Sequence, residues 1–357
     1  MLKDRSGQAR LLLEDCALDA LVLMDPANLA YVCGFTGTDG VLVVTPATSC
    51  FLTDSRYTTQ ARQQVAAGAV QEYADKIMGV CGWLQQAGAR RVGFEAASLS
   101  YSMATRLRES AVTLEWVPLE QQLKPLRGCK DADELLALQR AADLNREAFE
   151  EVLPRLVPGM REREVALELE FALKRRGGQD KAFDFIVASG YRGAMPHGVA
   201  SDKPLAAGEL VTIDFGTRVD GYHSDETVTF ALGSVDARQR KIFDTVLAAH
   251  DQAIAAIRPG VALRDVDARA RELIAAEGFG DYFGHGLGHG VGLEVHEYPV
   301  VSPRSETLAE EGMVFTVEPG IYIPEVGGVR IEDTVVVTAD GCRLLTRIPK
   351  KFRTLPV

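Results

Sequence analysis

The stretch Glu209-Leu210-Val211-Thr212-Ile213-Asp214-Phe215-Gly216-Thr217-Arg218-Val219-Asp220-Gly221-Tyr222-His223-Ser224-Asp225-Glu226-Thr227-Val228-Thr229-Phe230 decides how this 357-residue chain is read. Two β-rich runs, Leu210–Thr217 and Tyr222–Phe230, flank Arg218-Val219-Asp220-Gly221. An Asp-Gly pair between such runs signals a hairpin. With the turn centred between Val219 and Asp220, Asp214 lies opposite Asp225, and directly opposed Cβ atoms sit about 4.5–5.5 Å apart. Two carboxylates that close, among Val211, Ile213, Phe215 and Val228, are destabilising unless something positive stands between them. A divalent cation meets that need. The alternative is a bulge that breaks the register, or one carboxylate turned to water.

Further along, Met313–Pro319 and Gly328–Val337 form a second expected strand pair around Pro324-Glu325-Val326-Gly327. Symmetric pairing there sets Glu318 opposite Glu332. Glu318 stands among Val314, Phe315, Val317 and Ile321, where an unpaired charge is costly to bury. Between the two hairpins lies Gly284-His285-Gly286-Leu287-Gly288-His289-Gly290-Val291-Gly292-Leu293-Glu294-Val295-His296-Glu297, with three of the chain's six histidines. Glycine at every second position disfavours a helix and fits an extended strand with one bare face that another segment can approach closely. His285 and His289 share the other face, roughly 13 Å apart when fully extended, too far to bind one ion unless the backbone bends. Five histidines (His197, His223, His285, His289, His296) fall in these segments. His250 sits on an ordinary helical pattern and reads as a core or surface residue, and His223 as a packing one.

Outward from this centre, the N-terminal third alternates strands (Ala20–Met24, Val41–Thr45, Cys50–Thr53, 91–94, 112–117) with helices (5–16, 55–67, 78–88, 99–109), an α/β layer pattern. Asp25-Pro26-Ala27-Asn28 reads as a turn. Gly34 to Gly40 lacks the Gly-Lys-Ser/Thr ending of a phosphate loop and precedes a strand. A linker around Lys124-Pro125-Leu126-Arg127-Gly128 divides residues 1–125 from 126–357. Helices are expected at 132–153, 161–176, 235–257 and 263–277, with a strand at 183–189. A net charge of −11 argues against nucleic acid or an acidic membrane as partner. No apolar run approaches the roughly 20 residues that span a bilayer, and the first residues lack a signal-peptide core. Six scattered cysteines without a C-x-x-C pair point to free thiols in a reducing, cytoplasmic setting.

Four paired carboxylates with one imidazole suit two divalent ions of the manganese type, with cobalt, zinc or iron also compatible. Such a pair generates a nucleophilic hydroxide at neutral pH and polarises the bond under attack, and nearby free histidines can stabilise an oxyanion.

Pro196-His197, Ile213-Asp214-Phe215-Gly216, Ser224-Asp225-Glu226-Thr227, Gly288-His289-Gly290, Val295-His296-Glu297, Val317-Glu318-Pro319-Gly320 and Arg330-Ile331-Glu332-Asp333 resemble the signature of the pita-bread metallopeptidases, Xaa-Pro branch (aminopeptidase P and prolidase). Asn28-Leu29-Ala30-Tyr31, Gly34-Phe35-Thr36-Gly37 and Leu52-Thr53-Asp54-Ser55-Arg56-Tyr57 are similar to the creatinase-type N-terminal domain of that branch, which methionine aminopeptidases normally lack. The resemblance implies an α+β fold: a C-terminal pita-bread (creatinase/aminopeptidase) domain and a smaller α/β creatinase-type N-terminal domain. It implies metal ligands Asp214, Asp225, His289, Glu318 and Glu332, with Asp225 and Glu332 bridging two ions. Glu318 would double as the base, and His197 and His296 would contact substrate and intermediate. His285, Tyr322 and Arg330 would line the proline pocket, with a second-sphere bond to the carboxylates as the alternative for Arg330. The implied substrates are proline-containing peptides cut between the first residue and proline. The implied assembly is a homodimer, or a tetramer.

Many relatives have arginine two residues after Ser-Asp-x-Thr or directly after His-Glu-x-Pro; here those positions are Thr229 (or its neighbour Val228) and Val300. In prolidases the second arginine is associated with the dipeptide carboxylate, so Val300 points to an aminopeptidase P-like enzyme on longer peptides, with a dipeptide-restricted prolidase as the alternative. A non-catalytic binding module on the same fold is a third reading. A two-metal phosphoesterase finds no phosphate-cradling loop.

Overall fold

A computed structural model describes residues 5–357, which divide into two compact units with the boundary between Arg127 and Gly128. In the first, β1 (Ala20–Leu23), β2 (Val41–Val44), β3 (Ser49–Thr53), β4 (Ala69–Glu72), β5 (Arg91–Glu95) and β6 (Glu115–Leu119) form one sheet in the order β4-β3-β2-β1-β5-β6. Helices α1 (Ser6–Asp15), α2 (Pro26–Cys33), α3 (Thr58–Gln64), α4 (Lys76–Gln86) and α5 (Tyr101–Ser110) alternate with these strands. Val22, Val41, Val43, Leu52 and Val92 pack against Ile77, Val80 and Leu84 of α4. The segment Asp25-Pro26-Ala27-Asn28, expected as a turn, starts α2 instead. Asp25 caps the helix by accepting from the N–H groups of Ala27 (2.9 Å) and Asn28 (3.1 Å), and Pro26 occupies the first position, where its missing donor costs nothing. Edge strand β4, largely exposed, was not expected; it has no buried apolar face to announce it.

The second unit holds helices α6 (Ala132–Val152), α7 (Glu162–Arg175), α8 (Ala237–Ala256) and α9 (Leu263–Ala276). Its strands are β7 (Ile186–Ser189), β8 (Glu209–Phe215), β9 (Arg218–Val219), β10 (Tyr222–His223), β11 (Glu226–Leu232), β12 (Gly288–Gly290), β13 (Glu297–Val301), β14 (Val314–Val317), β15 (Gly320–Ile323), β16 (Gly327–Arg330), β17 (Asp333–Val337), β18 (Cys342–Leu344) and β19 (Thr354–Leu355). Two sheets result, β19-β11-β8-β7 and β13-β12-β14-β17-β18, with the ribbons β9–β10 and β15–β16 extending from them. A helix pair backs each sheet. Phe149 of α6 and Val165 and Leu169 of α7 share a core with Phe215 and Phe230, while Phe243 and Val246 of α8 and Val266 of α9 share another with Phe315 and Val335. Burial of one such Leu or Phe side chain contributes about 1.5–3 kcal/mol.

The first hairpin forms two residues out of the expected register, its turn centre displaced by one residue. Val219 pairs with Tyr222, and Asp214 therefore faces Thr227, not Asp225. The turn is centred on Asp220-Gly221, both with positive φ (52° and 83°), as a two-residue primed turn requires. Asp225 then lies diagonally from Asp214 on the same face. The second hairpin keeps its expected register. Gly320 pairs with Arg330 and Val317 with Asp333, and the break between them is where Glu318 and Glu332 stand across from each other. The glycine-histidine segment is strand at β12 and again at Glu297, where β13 begins, and irregular between and before them. Its bare face is used as anticipated: a Cβ on Gly288 would collide with the Thr316 carbonyl oxygen, and one on Gly290 with that of Tyr298.

Candidate metal centre and substrate pocket

Four strand ends and two loops deliver side chains to one cavity of about 430 Å³. Asp214 is the penultimate residue of β8, Asp225 precedes β11, His289 is the middle of β12, and Glu318 and Glu332 occupy the breaks of the second ribbon. All five line the cavity, together with His197, His285, His296, Tyr322 and Arg330. His223 is not among them; its Nδ1 meets the Gly292 carbonyl at 3.1 Å in a buried position. His250 is buried elsewhere, with Nε2 3.2 Å from Asp333 Oδ2.

Asp225, His289 and Glu332 each offer a ligand atom within 4.8 Å of the other two. His289 Nε2 lies 3.2 Å from Glu318 Oε1 and 3.7 Å from Asp225 Oδ2. Asp214 is turned aside by Arg330, whose guanidinium donates to Oδ2 at 2.6 Å, and its buried Oδ1 has no hydrogen-bond partner. Thr227 Oγ1 donates to Glu332 (2.6 Å) and Thr316 Oγ1 to Glu318 (3.0 Å).

The charges are out of balance. Burial, then the neighbouring Glu332, Asp214 and Glu318, push the Asp225 carboxyl well above its usual range. Glu332 is raised in the same way by burial, Glu318 and Asp214, and Asp214 by burial against the pull of Arg330. Glu318 goes the other way: burial opposes its charge, but the His289 hydrogen bond and charge outweigh it and hold the carboxyl down to about 2. His289 is raised correspondingly, by Glu318 against burial. Four clustered carboxylates, an orphaned oxygen and one imidazole make a donor set suited to divalent cations, whose charge would relieve this repulsion.

On one side of this cluster, His285 Nε2 and the Tyr322 hydroxyl are 3.0 Å apart, and Arg330 reaches Tyr322 Oη (3.1 Å) and the Pro196 carbonyl (3.0 Å). Arg330 is thus bonded to a candidate ligand and to the pocket wall at once. Burial lowers the pKa of His285 and, with the charge of His289 next, of His296. His197 and His296 are exposed at the mouth, His296 with its ring centroid 4.1 Å from that of His289. Val199 and Val300 are exposed there too, while Phe183, Ile186 and Val295 line the apolar wall.

Sequence reasoning missed the groups that hold these residues in place. Asp267 of α9 accepts the Leu287 N–H (3.0 Å) and pairs with Arg271, which donates to the Phe283 (2.9 Å) and His285 (2.7 Å) carbonyls. Their four-residue helical spacing was visible, but not their target. Lys130 meets Glu297 at 2.8 Å with both side chains nearly sealed from solvent, a pairing that no local pattern announces.

Residues 137–339 match the model of metallopeptidase family M24, and residues 5–129 that of the creatinase/prolidase N-terminal domain. The chain is 36% identical over 353 residues to the Xaa-Pro dipeptidase of Pyrococcus furiosus, covering 98% of this chain and 100% of that one. Among solved structures, the Xaa-Pro dipeptidase from Bacillus anthracis superposes with a TM-score of 0.95 at 39% identity (98% and 99% covered). The X-Pro aminopeptidase from Thermotoga maritima MSB8 does so at 0.92 and 35% (99% and 100% covered). With a creatinase-type α/β domain ahead of a pita-bread domain in which acidic residues and a histidine converge, the chain belongs to metallopeptidase family M24, whose members work with divalent metal ions.

Proposed function

We propose that the chain is an exopeptidase that hydrolyses the bond between an N-terminal residue and proline, with longer peptides preferred over dipeptides. The convergence of Asp214, Asp225, His289, Glu318 and Glu332 in one cavity with His285, Tyr322 and Arg330 carries this reading. The relatives named as Xaa-Pro enzymes support the proline preference. In this reading Asp214, Asp225, His289, Glu318 and Glu332 would hold two divalent ions, manganese or cobalt first. Ions held there supply Lewis acidity and a water pKa near neutrality.

The chain's own groups do the rest. Glu318, kept ionised by its partners, takes a proton from the attacking water at Oε and passes it to the leaving proline nitrogen. His197 and His296 flank the scissile carbonyl, and a neutral His296 donates a hydrogen bond to the developing oxyanion. His285, Tyr322 and Arg330 form a rigid, mutually hydrogen-bonded wall for the proline ring. Phe183, Ile186 and Val295 give the cavity an apolar wall.

The length preference rests on charge. Among the described residues Arg330 is the sole lysine or arginine lining the cavity, and Asp214 and Tyr322 already engage it. A dipeptide would bring its own carboxylate near Asp184 and Val300, with no cation to meet it. A longer peptide carries that charge out of the pocket. The names of the relatives favour the dipeptide reading instead. Comparing Xaa-Pro with Xaa-Pro-Yaa substrates on manganese-loaded protein decides between them. Faster cleavage of the tripeptide is expected; equal or better dipeptide turnover rejects the preference, and inertness to every Xaa-Pro substrate rejects the function.

A further inference from the structure

Asp225 and Glu332 are contributed by different sheets, Asp225 just ahead of β11 and Glu332 just ahead of β17. On the cavity side, Thr227 Oγ1 ties the two sheets by donating to Glu332 at 2.6 Å, and Thr229 Oγ1 by donating to the Arg330 carbonyl at 2.8 Å. Glu332 N–H donates to the Thr227 carbonyl at 3.2 Å, and Thr334 Oγ1 to that of Asp225 at 2.8 Å. Each of the two carboxylates is followed at once by a second acid, Glu226 and Asp333, which strand alternation turns to the reverse side. Both are buried there, Glu226 completely.

Two buried like charges on adjoining strands would force the sheets apart. One ammonium group stands between them. Lys350 Nζ contacts Glu226 Oε1 closely and lies 3.2 Å from Asp333 Oδ1, with its side chain only 7% exposed. The segment carrying it is laced to the same acids. Ile348 N–H donates to Glu226 (3.0 Å) and Thr346 Oγ1 to Asp333 (2.6 Å), while His250 approaches the far oxygen of Asp333 at 3.2 Å. Lysine is apt for this task, since its ammonium offers three donors and a compact charge to two carboxylates at once.

We propose that Lys350 is a positioning residue for the metal centre: by binding Glu226 and Asp333 from behind, it fixes the separation of Asp225 and Glu332. It touches neither substrate nor metal and works through the backbone of the two residues one step away. The inference rests on the metal-centre reading above. A role in stability alone would lower the melting temperature but leave metal binding in the folded protein intact. A positioning role loosens the cage itself.

The test is cobalt titration of metal-free full-length protein, following affinity by calorimetry and ligand geometry by the visible absorption of cobalt. Lys350→Met should bind about 10- to 100-fold more weakly, the usual cost of losing a group that orients metal ligands, with an altered spectrum. Lys350→Arg, which keeps the charge, should recover part of the loss. Should Lys350→Met not fold, the variant Glu226→Gln with Asp333→Asn and Lys350→Met removes the buried charges together and should show the same weakening. Wild-type affinity and spectrum in a folded variant lacking Lys350 overturn the proposal. Absence of cobalt uptake by the wild-type chain overturns the metal-centre reading beneath it.

Discussion

In the proposed reaction two demands would meet at Glu318: facing a cation and handling a proton. Its partners His289 and Thr316 orient the same oxygen, Oε1, leaving Oε2 for other work. Glu318→Gln keeps the shape and removes the base, so turnover should fall by about 10²–10⁴-fold while thermal stability changes little; residual activity above a tenth of wild type contradicts the role. Val300, exposed at the mouth, offers the complementary experiment. A guanidinium there supplies the cation that a dipeptide carboxylate lacks, worth about 1.5–3 kcal/mol for a charged hydrogen bond. Val300→Arg should therefore raise kcat/KM on Xaa-Pro about tenfold or more relative to Xaa-Pro-Yaa, and an unchanged ratio refutes the charge argument. These residues were conspicuous in the sequence because charges and histidines stood out among β-branched neighbours. Arg330 was harder: its type was plain, but its grip on Asp214 depends on two strands over a hundred residues apart in sequence.

Elements explain what could and could not be read. Helices announced themselves through apolar spacing, and the second hairpin through the symmetry of its flanks. The first hairpin was misjudged by the position of its turn, since four residues between the strands suit several centres. Only the positive φ of Asp220 and Gly221 selects the right one. Long-range ties left no trace in local pattern. The Lys130–Glu297 pair fastens the approach to α6 onto the start of β13, next to His296, with side chains 1% and 3% exposed. Lys130→Met takes the cation from a buried carboxylate and should cost about 3–5 kcal/mol, whereas adding Glu297→Gln should recover much of it. Urea denaturation measures both; equal losses for the single and double variants would mean that the charge pair is not the cause.

Across the whole molecule, cation binding and proton binding are linked. Asp225 and Glu332 have raised pKa values and therefore retain protons at pH values where ordinary carboxyls have lost them, and His289 is raised as well. A metal ion must displace those protons, so affinity should rise with pH through the raised values and fall on acidification. Calorimetry in buffers of different ionisation enthalpy should reveal net proton release; none would argue against these groups as ligands. Ions that bind only the folded chain should also stabilise it, by about 2.7 kcal/mol at a hundredfold excess over Kd. Scanning calorimetry with and without chelator reads that as a shift in Tm. No helix among the described residues is long and apolar enough to cross a membrane.

The Asp220-Gly221 turn has a consequence for how this chain can change over generations. Surface turns usually tolerate inserted residues, yet the register set here decides which face of the sheet receives each carboxylate. One extra amino acid taken up between Gly221 and Asp225 would turn Asp225 to the reverse side and Glu226 inward, handing the cavity the wrong acid. The tip of this hairpin is consequently a place where length is under tighter selection than composition.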